Sequence, residues 1–173
     1  MSYGCAPWCV TGQNHTFVDG RCDRCGHYER PPWPETWMIV ARTIAERSYD
    51  PRLKVGAIVV SADNTQVLSV GYNGNYCGGP NEPESLEPGL SGFIHAEQNA
   101  LVKLDFNFWK KKHMYVTDAP CRLCAKLCIN AQLTRVVYDR PYRDMSGCDL
   151  LRAAGVEVLS LPEALGFYTS WEG

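Results

Sequence analysis

The 173-residue sequence predicts an α/β fold, a mixed sheet of about five strands between helical layers, preceded by a small cysteine-rich extension. Three observations lead there. Short β-branched runs alternate with stretches of helical length across residues 35–173. The first two runs are separated only by a turn, whereas the later ones are separated by helices, so the pairing is antiparallel first and parallel afterwards. Finally, the first thirty residues hold four cysteines and two histidines but almost no aliphatic run. A chain of this length accommodates one well-cored domain and an appendage, not two large domains.

In the extension (residues 1–30), Cys5-x3-Cys9 and Cys22-x2-Cys25 have the spacing of two zinc-ribbon knuckles, with Asp19-Gly20 as a tight turn between them. Cys5, Cys9, Cys22 and Cys25 complete a four-thiolate structural zinc set, in which His15 or His27 is an alternative ligand. Residues 31–34, Pro-Pro-Trp-Pro, read as a stiff linker. Over residues 35–173, Pro34 opens a helix through about Arg47, with Trp37, Val40, Ala41, Ile44 and Ala45 on one face. Val55 to Val60 and Gln66 to Tyr72 are strands around a turn at Ala62 to Thr65. Residues 73–92, rich in Gly, Pro and Asn, form a long loop of the kind that is usually functional. There follow a helix from His95 to Leu104, a strand from Met114 to Thr117, and a helix from Cys121 to Ala131. A strand from Arg135 to Tyr138, a helix from Gly147 to Ala154, a strand from Val156 to Leu159 and a helix from Pro162 to Trp171 complete the series.

Composition is that of a soluble globular protein, 45% hydrophobic and 21% charged, with no apolar run of membrane-spanning length. The N-terminus has no secretory character, which predicts a cytoplasmic protein whose nine cysteines are metal ligands or buried thiols rather than disulfides. A net charge of −2 argues against an extended nucleic-acid footprint, although it leaves room for a small phosphorylated substrate.

The chemistry concentrates in His95-Ala-Glu97 and Pro120-Cys121-Arg-Leu-Cys124. One imidazole and two thiolates make three zinc ligands, and three protein ligands leave a fourth position open, as catalytic zinc requires. Glu97, two residues from the imidazole, is placed to move protons. Both groups fall at predicted helix starts, where free N–H groups and the helix dipole favour thiolates, and three-residue spacing puts Cys121 and Cys124 on one helix face. A lone C-x-x-C would favour half of a closed structural site instead; the paired His-x-Glu argues for catalysis. The H-x-E…P-C-x-x-C pattern is that of zinc nucleobase deaminases.

On these residues, with Val55-Gly-Ala-Ile-Val-Val60, Gly71-Tyr-Asn-Gly74, His95 to Ala100, Tyr115 to Cys124 and Val136-Val-Tyr138, the chain resembles the cytidine/deoxycytidylate deaminase superfamily. Within it the chain is most similar to the dCMP deaminases, over about residues 35–160. The resemblance implies a three-layer α/β/α cytidine-deaminase-like fold, hydrolytic deamination of dCMP to dUMP and ammonia, one catalytic zinc and a homo-oligomer. By match, Glu97 carries protons, Asn73 contacts the sugar and the backbone N–H of Ala96 orients the base. Tyr138 and Tyr142 are candidate base-pocket residues, and Lys54, Arg140 and Arg143 candidate phosphate partners. Cys77, Cys128 and Cys148 read as unligated cysteines. Competing functions are deamination of another nucleobase, nucleoside, triphosphate or single-stranded nucleic acid, and a non-catalytic zinc scaffold, which the intact Glu97 disfavours.

Overall fold

A computed structural model describes residues 31–105, 107–108 and 110–169, together with two short strands, β1 (Phe17–Val18) and β2 (Arg21–Cys22). Those two strands pair antiparallel within a unit spanning Met1–Pro32, and Trp33–Gly173 forms the second unit. Cys5, Cys9, Cys25 and the Asp19-Gly20 turn lie outside the described residues, and for Cys22 only the backbone of β2 is described.

In the second unit the order is α1 (Trp33–Ala45), β3 (Gly56–Ser61), β4 (Val67–Tyr72), α2 (Ala96–Leu101), β5 (Lys112–Asp118), α3 (Arg122–Asn130), β6 (Leu133–Arg140), α4 (Ser146–Ala153), β7 (Glu157–Ser160) and α5 (Leu161–Thr169). The sheet order β4-β3-β5-β6-β7 has antiparallel pairs from β4 to β5 and parallel pairs from β5 to β7. This is the mixed five-stranded arrangement that the turn and helix spacings predict. A parallel neighbour has to be reached by a crossover, and α3 and α4 provide the two crossovers.

Strand β5 is buried at every residue because helices cover both faces of the sheet. Met114 and Val116 pack with Ala96, Ala100, Ala125, Cys128 and Leu151, on the α2, α3 and α4 side. Tyr115 packs with Met38, Ala41, Ile58, Val137 and Ala164, on the α1 and α5 side. Most element bounds differ from expectation by one to three residues. Helix α1 begins at Trp33, one residue before the expected Pro34 and inside the stretch assigned above to the linker, and ends at Ala45 rather than Arg47; a proline in the first helical turn forfeits no backbone bond. Helix α2 ends at Leu101 rather than Leu104, since the N–H groups of Lys103 and Leu104 turn back three residues, to Ala100 and Leu101. Helix α5 begins at Leu161, and Trp171 lies outside the described residues.

Close backbone approach fixes where α2 sits. A Cβ on Gly71 of β4 would lie 2.2 Å from the Ala96 carbonyl oxygen and 2.4 Å from the Ala100 nitrogen. The contact is reinforced by Asn99, whose amide donates to the Tyr72 carbonyl at 2.9 Å, and by Lys103, whose ammonium donates to the Val70 carbonyl at 3.2 Å. Gly71→Ala is therefore expected to lower stability by about 1–3 kcal/mol, the ordinary cost of overpacking. Gly166→Ala, where the added carbon meets none of the described residues within 4 Å, is the control and is expected to be neutral or slightly stabilising. Urea midpoints of the two variants check this.

His113 in β5 is 9% exposed and its Nδ1 is buried without a partner. Its ladder neighbours are Val60 and Arg135, and Arg135 pairs with Glu157 at 2.6 Å. Burial, helped by the Arg135 charge, pushes its pKa from the ordinary 6.5 down to about 4. The unfolded chain thus binds the proton more readily than the folded one. His113's contribution is fully present above pH 6.5 and is lost as the pH falls toward 4. Melting temperature is expected to drop between pH 7 and pH 5, and His113→Phe to show a shallower drop over the same interval.

Candidate active site

Two helix starts meet at one end of the sheet. His95 is the extended residue before α2, with φ −68° and ψ 156°; its carbonyl accepts from the Asn99 N–H and its own N–H is taken by the Gln98 side-chain oxygen, both at 2.9 Å. Cys121 occupies the same position before α3, with φ −68° and ψ 168°, and its carbonyl accepts from the Ala125 N–H at 2.9 Å. Cys124 follows one turn into α3 and is fully buried. Gly147 of α4 lies against this turn so closely that a Cβ there would sit 2.1 Å from the Pro120 carbonyl oxygen.

The His95 Nδ1 atom stands 3.6 Å from the Cys121 sulfur and 3.4 Å from the Cys124 sulfur, and the three donor atoms lie within 4.8 Å of one another. Nitrogen and sulfur donors at about 2.0–2.3 Å from one tetrahedral zinc ion are about 3.5 Å apart, so the set fits zinc in both chemistry and spacing. No other such donor group occurs among the described residues. Cys77 is exposed, and Cys128 and Cys148 are buried thiols that do not belong to this set. A hydrogen bond from the Cys124 thiol pulls the Cys121 thiol down to about 3, and the same bond pushes Cys124 up. The hydrogen bond with Cys121 raises His95. Both sulfurs would be thiolates with a divalent cation bound, since metal-ligating thiols are deprotonated.

Glu97, in the first turn of α2, is only 4% exposed, and burial pushes its carboxyl up to about 7. It lines a cavity of about 300 Å³ that also takes in His95, Ala96 and Cys121. The segment before β3 and the residue after β4 also line it, with Asp50, Arg52, Leu53, Val55 and Asn73. Gly89, Ser91, Gly92 and Phe93 of the long loop, with Gln98, Asp118, Ala119, Leu123 and Tyr142, contribute the remainder.

Several residues named from the sequence thus come together: His95, Glu97, Cys121, Cys124, Asn73, Ala96 and Tyr142 share this cavity. Tyr138 does not line it; its ring packs against the α2–α4 side of the core. Lys54 pairs with Glu46 at 2.9 Å instead of reaching the cavity. Arg140 binds Asp118 at 2.7 Å, and Arg143 lies over the Tyr142 ring, 5.5 Å from its centre. The cation that does line the cavity is Arg52, which also donates to the Leu86 carbonyl of the long loop. Sequence reading missed Arg52 and Asp50, although Asp50-Pro-Arg52 directly before a strand is a turn signal beside a motif.

Residues 31–140 match the model of the cytidine and deoxycytidylate deaminase zinc-binding region. The deoxycytidylate deaminase of Homo sapiens is 37% identical over 114 residues, which cover 61% of this chain but only 64% of that relative. The deoxycytidylate deaminase of Mycobacterium phage D29 is 34% identical over 126 residues, covering 64% of this chain and 97% of the phage protein. The crystal structure of the dCMP deaminase from cyanophage S-TIM5 in complex with dCMP and dUMP superposes with a TM-score of 0.67 at 35% identity, over 77% of this chain and 99% of that one. With the family match running through most of the second unit and containing His95, Glu97, Cys121 and Cys124, the chain belongs to the cytidine and deoxycytidylate deaminase family.

Proposed function

We propose that the chain hydrolyses dCMP to dUMP and ammonia. The observation that carries this reading is a buried carboxyl, Glu97, in one cavity with a His95, Cys121 and Cys124 donor set of zinc spacing. The similarity to a protein solved with dCMP and dUMP supports the choice of nucleotide. When bound, a zinc ion in this set supplies Lewis-acid activation and lowers the pKa of a water toward neutrality.

The remaining work belongs to side chains. Glu97 takes a proton from the water and hands it to the ring nitrogen next to the amino-bearing carbon; it then takes the second proton, from the hydroxyl that has added to that carbon, and delivers it to the departing ammonia. Water adds, ammonia leaves, and the base is left with a carbonyl in place of its amino group. The backbone N–H of Ala96 orients the base and Asn73 meets the sugar. Phe93 and Tyr142 give the cavity apolar walls that keep bulk water off the reacting face. Arg52 is the cavity's cation and is placed to meet a phosphate.

A second, structural zinc held by Cys5, Cys9, Cys22 and Cys25 belongs to the same reading; its support is the cysteine spacing and the need of a coreless segment for a staple. A homo-oligomer is supported by the resemblance, and a cytoplasmic location by the free nucleotide substrate.

Glu97→Ala is expected to lower turnover by several orders of magnitude, since each proton transfer is typically worth about 10²–10⁴-fold. Metal analysis is expected to find the same zinc content in parent and variant, two ions per chain, because Glu97 adjoins the ligand set without belonging to it. A zinc-replete Glu97→Ala protein with near-parental turnover would overturn its role.

Ammonia release from cytosine, deoxycytidine, dCMP, dCTP and a short cytosine-containing oligonucleotide tests the substrate. The highest kcat/KM is expected for dCMP, about ten- to a hundredfold above deoxycytidine, the worth of one charge-assisted bond to the phosphate. Preference for the free base or the oligonucleotide would refute the nucleotide assignment while leaving the zinc chemistry standing.

A further inference from the structure

The lining of the cavity that holds Glu97 also contains a hydrogen-bond system for which the proposed proton transfers have no use. Asp50 is 8% exposed and both carboxylate oxygens are engaged. Oδ1 accepts the backbone N–H groups of Arg52 at 2.9 Å and Leu53 at 3.2 Å. Oδ2 accepts from the Asn73 amide nitrogen at 3.1 Å. Asn73, 6% exposed, gives its second amide proton to the Leu53 carbonyl at 2.8 Å and accepts the Val55 N–H on its own oxygen, also at 2.8 Å.

This network admits one orientation of the Asn73 amide. Turned over, its nitrogen would face the Val55 N–H, donor against donor, and its oxygen would face the Asp50 carboxylate and the Leu53 carbonyl. In the observed orientation both amide protons are taken, and the one capacity left is a lone pair on Oδ1. A group bound there has to donate.

We infer that Asp50 is a positioning residue that holds Asn73 as a pure hydrogen-bond acceptor, so that the cavity selects a sugar carrying a free hydroxyl. A 2′-deoxynucleotide carries one such donor, its 3′-hydroxyl. The same carboxylate, through the Arg52 N–H, fixes the turn that carries the cavity's cation. The inference rests on the proposed nucleotide reading, and it adds a requirement that reading lacks: a nucleotide without the 3′-hydroxyl leaves the Asn73 oxygen with no donor from the ligand and is rejected.

The test compares dCMP with its 2′,3′-dideoxy counterpart in the zinc-loaded full chain. The parent is expected to prefer dCMP by at least about tenfold in kcat/KM, in line with one hydrogen bond to a buried acceptor. Asp50→Asn, which sets a second amide against the first, is expected to raise KM for dCMP more than it lowers kcat and to shrink the preference toward unity. Adding Asn73→Asp to that variant restores an acceptor at position 73 with an amide donor opposite, and is expected to recover part of the preference. A parent that turns over both nucleotides equally well overturns the inference while the nucleotide reading stands. A parent that releases ammonia from neither overturns the reading beneath it. If Asp50→Asn lowers kcat for both substrates by one factor and keeps the preference, Asp50 is structural and the inference fails. Melting curves and zinc content of each variant identify a protein that has lost its fold, and the parental ratio decides the matter in that case.

Discussion

His95 and Cys121 belong to different helices, yet their donor atoms lie 3.6 Å apart, and the rest of the site depends on that approach. Nothing about an imidazole and two thiols favours crowding them together in a bare protein. The cost is met by the sheet. Strand β3 lies between β4 and β5, so the loop leaving β4 and the turn leaving β5 open at one end, and the helices they lead into begin side by side. Gly71 lets α2 settle on β4, and Gly147 lets α4 press on the Pro120-Cys121 turn. The donors are held by backbone packing, which keeps them near zinc spacing with their side chains short and few rotamers to order.

The same arrangement explains why Glu97 is buried. Three consecutive residues where α2 starts are placed differently: His95, just before the helix, belongs to the donor set, Ala96 is fully buried and lines the cavity, and Glu97 lines it with little exposure to solvent. A carboxyl removed from water resists ionisation unless a charge is near, and so retains a proton at a pH where an exposed glutamate has lost it. A group that must both accept and return protons benefits from that balance. Shifting Glu97 by one position would put it on another face of the helix, away from the ligand set.

Much of this was legible in the sequence because periodicity and metal chemistry are local. Val55 to Val60 declared a strand through its β-branched run, and His95-x-Glu97 with Cys121-x2-Cys124 pointed to a donor set through a matched motif, whose donor atoms the fold brings together. Boundaries were less legible. Whether Cys121 caps α3 or opens it turns on one φ/ψ pair, and the early end of α2 turns on two N–H groups that bend back three residues. Least legible were the pairings of single charges. Lys54, Arg140 and Arg143 stand near motifs in sequence, but Glu46, Asp118 and the Tyr142 ring engage them in space. Only folding shows that Arg52 is the cation facing the cavity.

Asn73 shows how a matched residue gains meaning from its surroundings. Its place in Gly71-Tyr-Asn-Gly74 suggests a sugar contact but not what kind of contact it makes, since an amide both donates and accepts. Asp50, 23 residues earlier, resolves that ambiguity by taking one proton, while Leu53 takes the other and Val55 fixes the oxygen. Those partners all come from the segment that leads into β3, and Asn73 directly follows β4, its antiparallel neighbour. The hairpin that closes one side of the sheet therefore also sets the polarity of the cavity wall. On the proposed reading, recognition and chemistry are divided between two parts of the fold. The β3–β4 hairpin would present the acceptor and Arg52, and the helix starts after β4 and β5 the donor set and the proton carrier. A substrate long enough to touch both, with a hydroxyl at one end and an amidine at the other, would be bound at two fixed points, and the distance between them would place the reacting carbon.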